Sequence, residues 1–193
     1  MTFASLTFRS LSYSIRLKNK MHFLLVNALA KIVEPTLMIF ERKNRDGFKV
    51  VGLSIRTTNK DGKAVDHINA LWQMFSEQNI LNDLPQRIDD TIYAVYSDYE
   101  GDHTKPYKFT IGCAVENFDN VSQGLDAFEI PAQSYAVSKA VGEPPKSVVE
   151  SWTAIWESDL KRAYAFDFEV YGEKFFNPET REVAVYASLE ETV

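Results

Sequence analysis

The sequence predicts an α+β protein in which a strand–helix–strand–strand unit occurs twice, with antiparallel sheets and a ligand cleft between the two halves. Three observations predict it. Apolar residues follow the order strand, helix, strand, strand from residue 48, and the same order begins again near residue 133. Trp72 and Trp156 occupy comparable helix positions 84 residues apart. Tyr96 and Tyr171 each precede the turn that follows the third element of their half.

In the first half, residues 48–55 are β-branched and bounded by turn residues, which reads as a strand, and residues 59–62 form a polar loop. Val65, Ile68, Leu71, Trp72 and Phe75 recur at three and four, the spacing of a helix with one buried face. Residues 91–97 and 108–115 are two further strands, separated by the polar stretch 98–105 and Pro106. In the second half, residues 134–140 are a strand that Gly142 to Pro145 stop. Val148, Val149, Trp152, Ile155 and Trp156 then form a helical stripe, and residues 166–172 and 182–188 close the unit as strands. Residues 117–132 are expected to be a connecting loop, 36–40 strand-like, and 43–47 a polar hairpin turn.

Composition narrows the function. The chain has 193 residues, 21 Lys and Arg against 27 Asp and Glu, a net charge of −6, 45% hydrophobic residues and one cysteine. That length and apolar content suit one globular body, and an acidic balance argues against nucleic acid as a direct partner. Residues 1–30 carry Arg9, Arg16, Lys18 and Lys20 with no acid, so the remainder holds 17 basic and 27 acidic side chains, or −10. The expected organisation is an N-terminal extension, residues 1–31, and a single domain, residues 32–193, with half-repeats of about 48–116 and 133–190. The apolar run 21–30 fits a secretory signal less well than an extension, because it is short, contains His22 and Asn27 and follows a long leader. No stretch approaches a membrane span, and the expected location is cytoplasmic.

Chemistry-bearing motifs are few. His22, His67 and His103 have no metal-ligand spacing, and lone Cys113 sits mid-strand among apolar neighbours, which reads as a buried thiol. Phosphate loops, dinucleotide fingerprints and nucleophile elbows are absent, so no residue is assigned a catalytic role and no metal or cofactor is expected. The informative anomaly is Glu169, an acid inside an aromatic and β-branched strand, with Asp167 and Tyr171 on its own side by alternation. Facing solvent it is an ordinary edge residue; facing the seam it is a carboxylate among rings that selects cations. Tyr93, Tyr96, Trp152, Tyr171 and Tyr186 are the aromatic candidates for the same ligand site. Trp72 and Trp156, at helical spacing, read more as core than as ligand contacts.

The order of elements, Phe48-Lys49-Val50-Val51-Gly52-Leu53, the Leu71-Trp72-Gln73-Met74-Phe75 helix, residues 130–137, the Trp152-Thr153-Ala154-Ile155-Trp156 helix and Asp167-Phe168-Glu169-Val170-Tyr171 together resemble the GyrI-like effector-binding domain. That domain is found in AraC- and MerR-type transcription regulators and in stand-alone proteins of mobile integron cassettes. The resemblance covers roughly residues 32–190. It implies a cleft between duplicated halves, amphipathic organic cations as ligands, and Glu169 as the buried acid of the cleft. About 47 residues precede the first strand of the repeat, too few for the family's DNA-binding region, so the expectation is a stand-alone binding module rather than an enzyme. Because some members of the superfamily are hydrolases, the resemblance also implies an alternative in which Glu169 is a general base served by Tyr96 or Tyr171. Interaction with a protein partner, or a homodimer, is the remaining possibility.

Overall fold

The computed structural model describes residues 39–191. The expected extension, residues 1–31, and the strand-like residues 36–38 lie outside them. The elements in chain order are β1 (Glu41–Arg45), β2 (Phe48–Thr57), a 3-10 turn (Lys60–Gly62), α1 (Lys63–Glu77), α2 (Ile80–Asp83), β3 (Arg87–Ser97), β4 (Tyr107–Val115), β5 (Asp126–Ile130), β6 (Gln133–Val141), α3 (Lys146–Trp156), β7 (Asp167–Tyr171), α4 (Glu173–Phe176) and β8 (Glu182–Ser188). None of the helices among the described residues is long and apolar enough to cross a membrane.

All eight strands join one antiparallel sheet in the order β1-β6-β8-β7-β3-β4-β2-β5. The duplication is visible in this order: β2-β4-β3 and β6-β8-β7 are the same three-strand arrangement, joined back to back through β7 and β3. At the junction Ala94 stands opposite Glu169, with Tyr96 opposite Asp167 and Ile92 opposite Tyr171. A local two-fold axis through the Ala94/Glu169 pair therefore exchanges Tyr96 with Tyr171.

Two expectations are corrected here. Residues 43–45, read as part of a hairpin turn, belong to β1, and the expected loop 117–132 contains β5. β1 is polar and carries no strand signal of its own, and β5 is only five residues long, with Phe128 and Ile130 as its alternating apolar pair; each is formed by pairing at an edge. They are also exchanged between halves: β1 leads into β2 yet pairs with β6, and β5 leads into β6 yet pairs with β2. The links 46–47 and 131–132 are two residues each, spanning at most about 10 Å. Opposite ends of the sheet are thereby drawn together, and the sheet curls. Among the described residues β1 is an edge strand, and its charged side chains disfavour further pairing there.

Strand alternation sorts the interior into two cores. Val51, Ile111, Val183 and Val185 face α1 and α3, packing with Leu71, Phe75 and Ile155. Val50, Val95, Tyr135 and Phe168 face the inside of the curl. There Arg45 reaches from β1 across the rings of Phe48, Tyr93, Phe168 and Tyr186, at 4.4, 5.4, 5.2 and 5.6 Å from their centroids, and donates to the Tyr93 hydroxyl at 3.0 Å. Between β2 and β4 Gly52 opposes Gly112, where a Cβ on either would stand 2.3 or 2.2 Å from a carbonyl oxygen of the facing strand; only glycine permits this approach.

The helical stripes are not wholly core. Val65, Val149 and Trp156 are 62, 55 and 39% exposed, although the spacing places them with the buried residues of their helices. They border an open space between the two helices.

Candidate functional site

A cavity of about 910 Å³ lies between α1 and α3, with β3 and β7 as its floor. From α1 come Val65, Ile68, Trp72 and Phe75; from α3, Val148, Val149, Trp152 and Trp156; from the sheet, Ile92, Tyr96, Phe109, Glu169 and Tyr171. The β3–β4 connection adds Tyr99 and His103, and α4 adds Phe175 and Phe176. Among the described residues on this wall, Glu169 is the one acid and there is no lysine or arginine.

Alternation along β7 puts Asp167, Glu169 and Tyr171 on the helix side and Phe168 inside the curl. Glu169 is 3% exposed. Its Oε1 accepts from the Tyr96 hydroxyl at 2.6 Å and from the Trp152 indole N–H at 2.7 Å, and its Oε2 accepts from the Tyr171 hydroxyl at 2.6 Å. Burial pushes the carboxyl pKa up, and the three donors offset only part of that rise. The same burial, with the neighbouring carboxylate, holds Tyr96 and Tyr171 well above the ordinary phenol range, so both remain donors. When ionised, this carboxyl is held on the floor by neutral groups alone.

Asp167, two residues earlier, is treated differently. It pairs with the buried Arg162 guanidinium and accepts from the Tyr99 hydroxyl at 2.6 Å and from the Ser188 backbone N–H and hydroxyl, each at 2.7 Å. The guanidinium carbon lies 4.6 Å from the Tyr164 ring centroid and 5.8 Å from that of Trp152. Arg162 Nε and Nη1 have no hydrogen-bond partner among the described residues.

At one end of the cavity His103 stacks on Trp156 with centroids 5.1 Å apart and planes at 8°. Its backbone carbonyl accepts from Asn59 at 2.9 Å, and Asn59 accepts in turn from the Tyr107 hydroxyl at 2.8 Å. Burial lowers the His103 pKa, with nearby Arg162 acting in the same direction and Asp102 against it.

Of the six expected ligand residues, Glu169, Tyr96, Trp152 and Tyr171 converge on this cavity. Tyr93 and Tyr186 do not: they lie inside the curl around Arg45. Tyr93 is an odd number of residues from Tyr96 and so points through the opposite face; Tyr186 stands opposite Phe168 and shares its side. Strand alternation carried that signal for Tyr93. Trp72 and Trp156, read as core, are cavity walls instead, because α1 and α3 do not close on each other. Tyr99, which clusters with Tyr93 and Tyr96 in the sequence, also lines the cavity, whereas His103 as a wall residue and the pairing of Asp167 with Arg162 escape sequence reasoning, since connections and cross-strand partners leave no periodic trace.

A sequence model of the family described as integron-associated effector binding protein matches residues 43–189. The chain belongs to this family. YobU of Bacillus subtilis, named as a candidate transcriptional regulator, is 31% identical over 146 residues, 73% of this chain and 91% of its own length. The Vibrio cholerae integron cassette protein VCH_CASS2 shares the fold with a TM-score of 0.62 and 26% identity, over 78% of this chain and 95% of that one. SAV2435, solved bound to tetraphenylphosphonium, shares it with a TM-score of 0.67 and 19% identity, over 79% and 94%. The GyrI-like effector-binding architecture expected from the sequence is the architecture of this family member.

Proposed function

We propose that this effector-binding protein is a receptor for lipophilic organic cations and not a catalyst. One observation carries the reading: among the described lining residues Glu169 is the one acid in a cavity that is mostly aromatic and aliphatic, with no lysine or arginine, and its carboxyl is held by two phenols and an indole. A carboxylate in such surroundings is costly, and a ligand that brings a positive charge removes that cost. Rings of Trp72, Trp152 and Trp156 supply apolar and cation–π contact, worth about 0.5–2 kcal/mol for a well-placed cation. Three of the roughly four lone-pair sites of the carboxylate are occupied by donors. This favours a diffuse cation over a primary ammonium, and it leaves little room for a water to be activated as hydrolysis requires. The tetraphenylphosphonium carried by SAV2435 is a cation of this kind and serves as a probe.

Calorimetric titration tests the assignment with tetraphenylphosphonium, its anionic isostere tetraphenylborate, and neutral triphenylphosphine oxide. The phosphonium is expected to bind, the borate to fail, and Glu169→Gln to weaken phosphonium binding at least tenfold, about 1.4 kcal/mol, with the neutral compound unchanged. Equal binding of cation and anion would sink the assignment. The acidic body argues against direct contact with nucleic acid.

A further inference from the structure

We propose that the inside of the curl holds a second binding site, centred on Arg45, for the carboxylate of a small aromatic acid. It faces the opposite side of the sheet from the cavity, and its test is independent of the cation-receptor reading.

Hydrogen-bond accounting supplies the first argument. Among the described residues the Arg45 guanidinium donates to one group, the Tyr93 hydroxyl at 3.0 Å, and pairs with no carboxylate. Tyr93 accepts that bond, so its own O–H still needs an acceptor, and none is present among the described residues. Tyr135 is in the same state: its hydroxyl accepts from the Gln133 amide at 2.6 Å and donates to none of the described residues. Both tyrosines are buried, 6% and 0% exposed, where a donor left without an acceptor is costly. The three groups gather around Phe168, whose ring centroid lies 5.2 Å from the guanidinium carbon and 6.0 and 5.1 Å from the Tyr93 and Tyr135 rings. Burial pushes the Tyr135 hydroxyl up to about 12, against smaller downward pulls from the Gln133 hydrogen bond and from Arg45, so it stays protonated and able to donate.

Charge supplies the second argument. Lys43, on the same side of β1, is already paired with Glu41 at 3.0 Å, and Glu182 of β8 with Lys174 at 3.1 Å. Among the described residues Arg45 is therefore a cation without an anion, the reverse of Glu169 on the other face. One unmatched charge suits a monoanion, and the net −10 of residues 31–193 disfavours a polyanion. A guanidinium edge takes a carboxylate through two parallel N–H bonds, and the phenol O–H groups beside it add further donors. Partly buried Phe48, Phe128, Phe166 and Val170 offer apolar contact to a ring carried by that carboxylate. Donors set this deeply are reached by a small molecule and not by the surface of a folded partner.

Fluorine NMR titration of the full chain tests this with 4-fluorobenzoate, its neutral isostere 4-fluorobenzamide and the dianion 4-fluorophenyl phosphate. The benzoate is expected to bind at least tenfold more tightly than either of the others. Arg45→Gln is expected to weaken it at least tenfold, and Arg45→Lys, which keeps the charge but loses the planar fork, severalfold. Tyr135→Phe keeps the ring and removes one O–H donor, so it is expected to weaken benzoate severalfold even if Arg45→Gln does not fold, which urea unfolding of each variant reveals. Equal binding of benzoate and benzamide, a preference for the phosphate, or no benzoate binding at millimolar concentration would overturn the proposal. So would benzoate affinity that folded Arg45→Gln or Tyr135→Phe leaves unchanged. If Trp72→Leu abolishes benzoate binding and Arg45→Gln does not, the anion occupies the helix-side cavity and the site at Arg45 is rejected.

Discussion

Asp167 and Glu169 lie two residues apart on the same face of β7, both buried, yet they have opposite roles. Asp167 is closed by Arg162 and by hydrogen bonds from Tyr99 and Ser188, and it ties the 157–166 connection to the sheet. Glu169 is held by two phenols and an indole, with no cation. The difference teaches how to tell a structural acid from a binding one. A buried carboxylate with its counter-charge built in has completed its interactions, whereas one held only by neutral donors retains an uncompensated charge that a ligand can use.

The comparison breaks most visibly at Asp167. Asp167→Ala leaves the Arg162 guanidinium buried without its partner and is expected to cost about 3–5 kcal/mol in urea unfolding. A cost under about 1 kcal/mol would show that the pair does not secure this connection. The next largest effect has the opposite sign. Because burial raises the Glu169 pKa, the unfolded chain loses that proton at lower pH than the folded one. Stability therefore falls as pH rises from the ordinary glutamate value through the raised folded value, and stays lower above it. Glu169→Gln lacks this loss, so at neutral pH its Tm is expected to equal or exceed that of the wild type while cation binding weakens. A variant that loses both stability and binding would make Glu169 a second structural acid.

Acidity sharpens the contrast further. Phosphonium affinity is expected to fall as pH drops through the folded pKa of Glu169, since the protonated carboxyl no longer attracts a cation. His103, neutral at pH 7 with its lowered pKa, adds a positive charge at the cavity end once protonated, and weakens binding in the same direction. His103→Asn should remove only the histidine contribution, and an unchanged pH profile would exclude that contribution. The smallest expected effect separates the two sides of the sheet. Tyr93→Phe loses the hydrogen bond from Arg45, about 1 kcal/mol of stability, without altering phosphonium binding. Tyr96→Phe removes a donor from Glu169, raises its pKa and moves the binding profile to higher pH.

Much of the fold was legible in the residues. Period-two and three-four spacing placed the six strands and two helices of the repeat, and alternation alone put Asp167, Glu169 and Tyr171 on one face. The edge strands β1 and β5 were not read as strands: β1 is polar and has no apolar pattern, and β5 offers only Phe128 and Ile130 within five residues, too short an alternation to stand out from a loop. Nor was Arg162 legible, five residues from its partner in a connection without periodicity.

By itself the sequence determined the elements, their duplication and the anomaly of an acid among aromatic residues, since these depend on local periodicity. Tertiary structure decided what lies across from each residue. The exchange of β1 and β5 curls the sheet and turns Tyr93 and Tyr186 towards Arg45, away from the cavity. The junction of β3 with β7 sets Glu169 opposite Ala94 and within hydrogen-bond reach of both Tyr96 and Tyr171. The gap between α1 and α3 turns Trp72 and Trp156 from core into walls. Period alone cannot distinguish a helix face that meets a neighbour from one that meets a cavity, because both require the same apolar stripe.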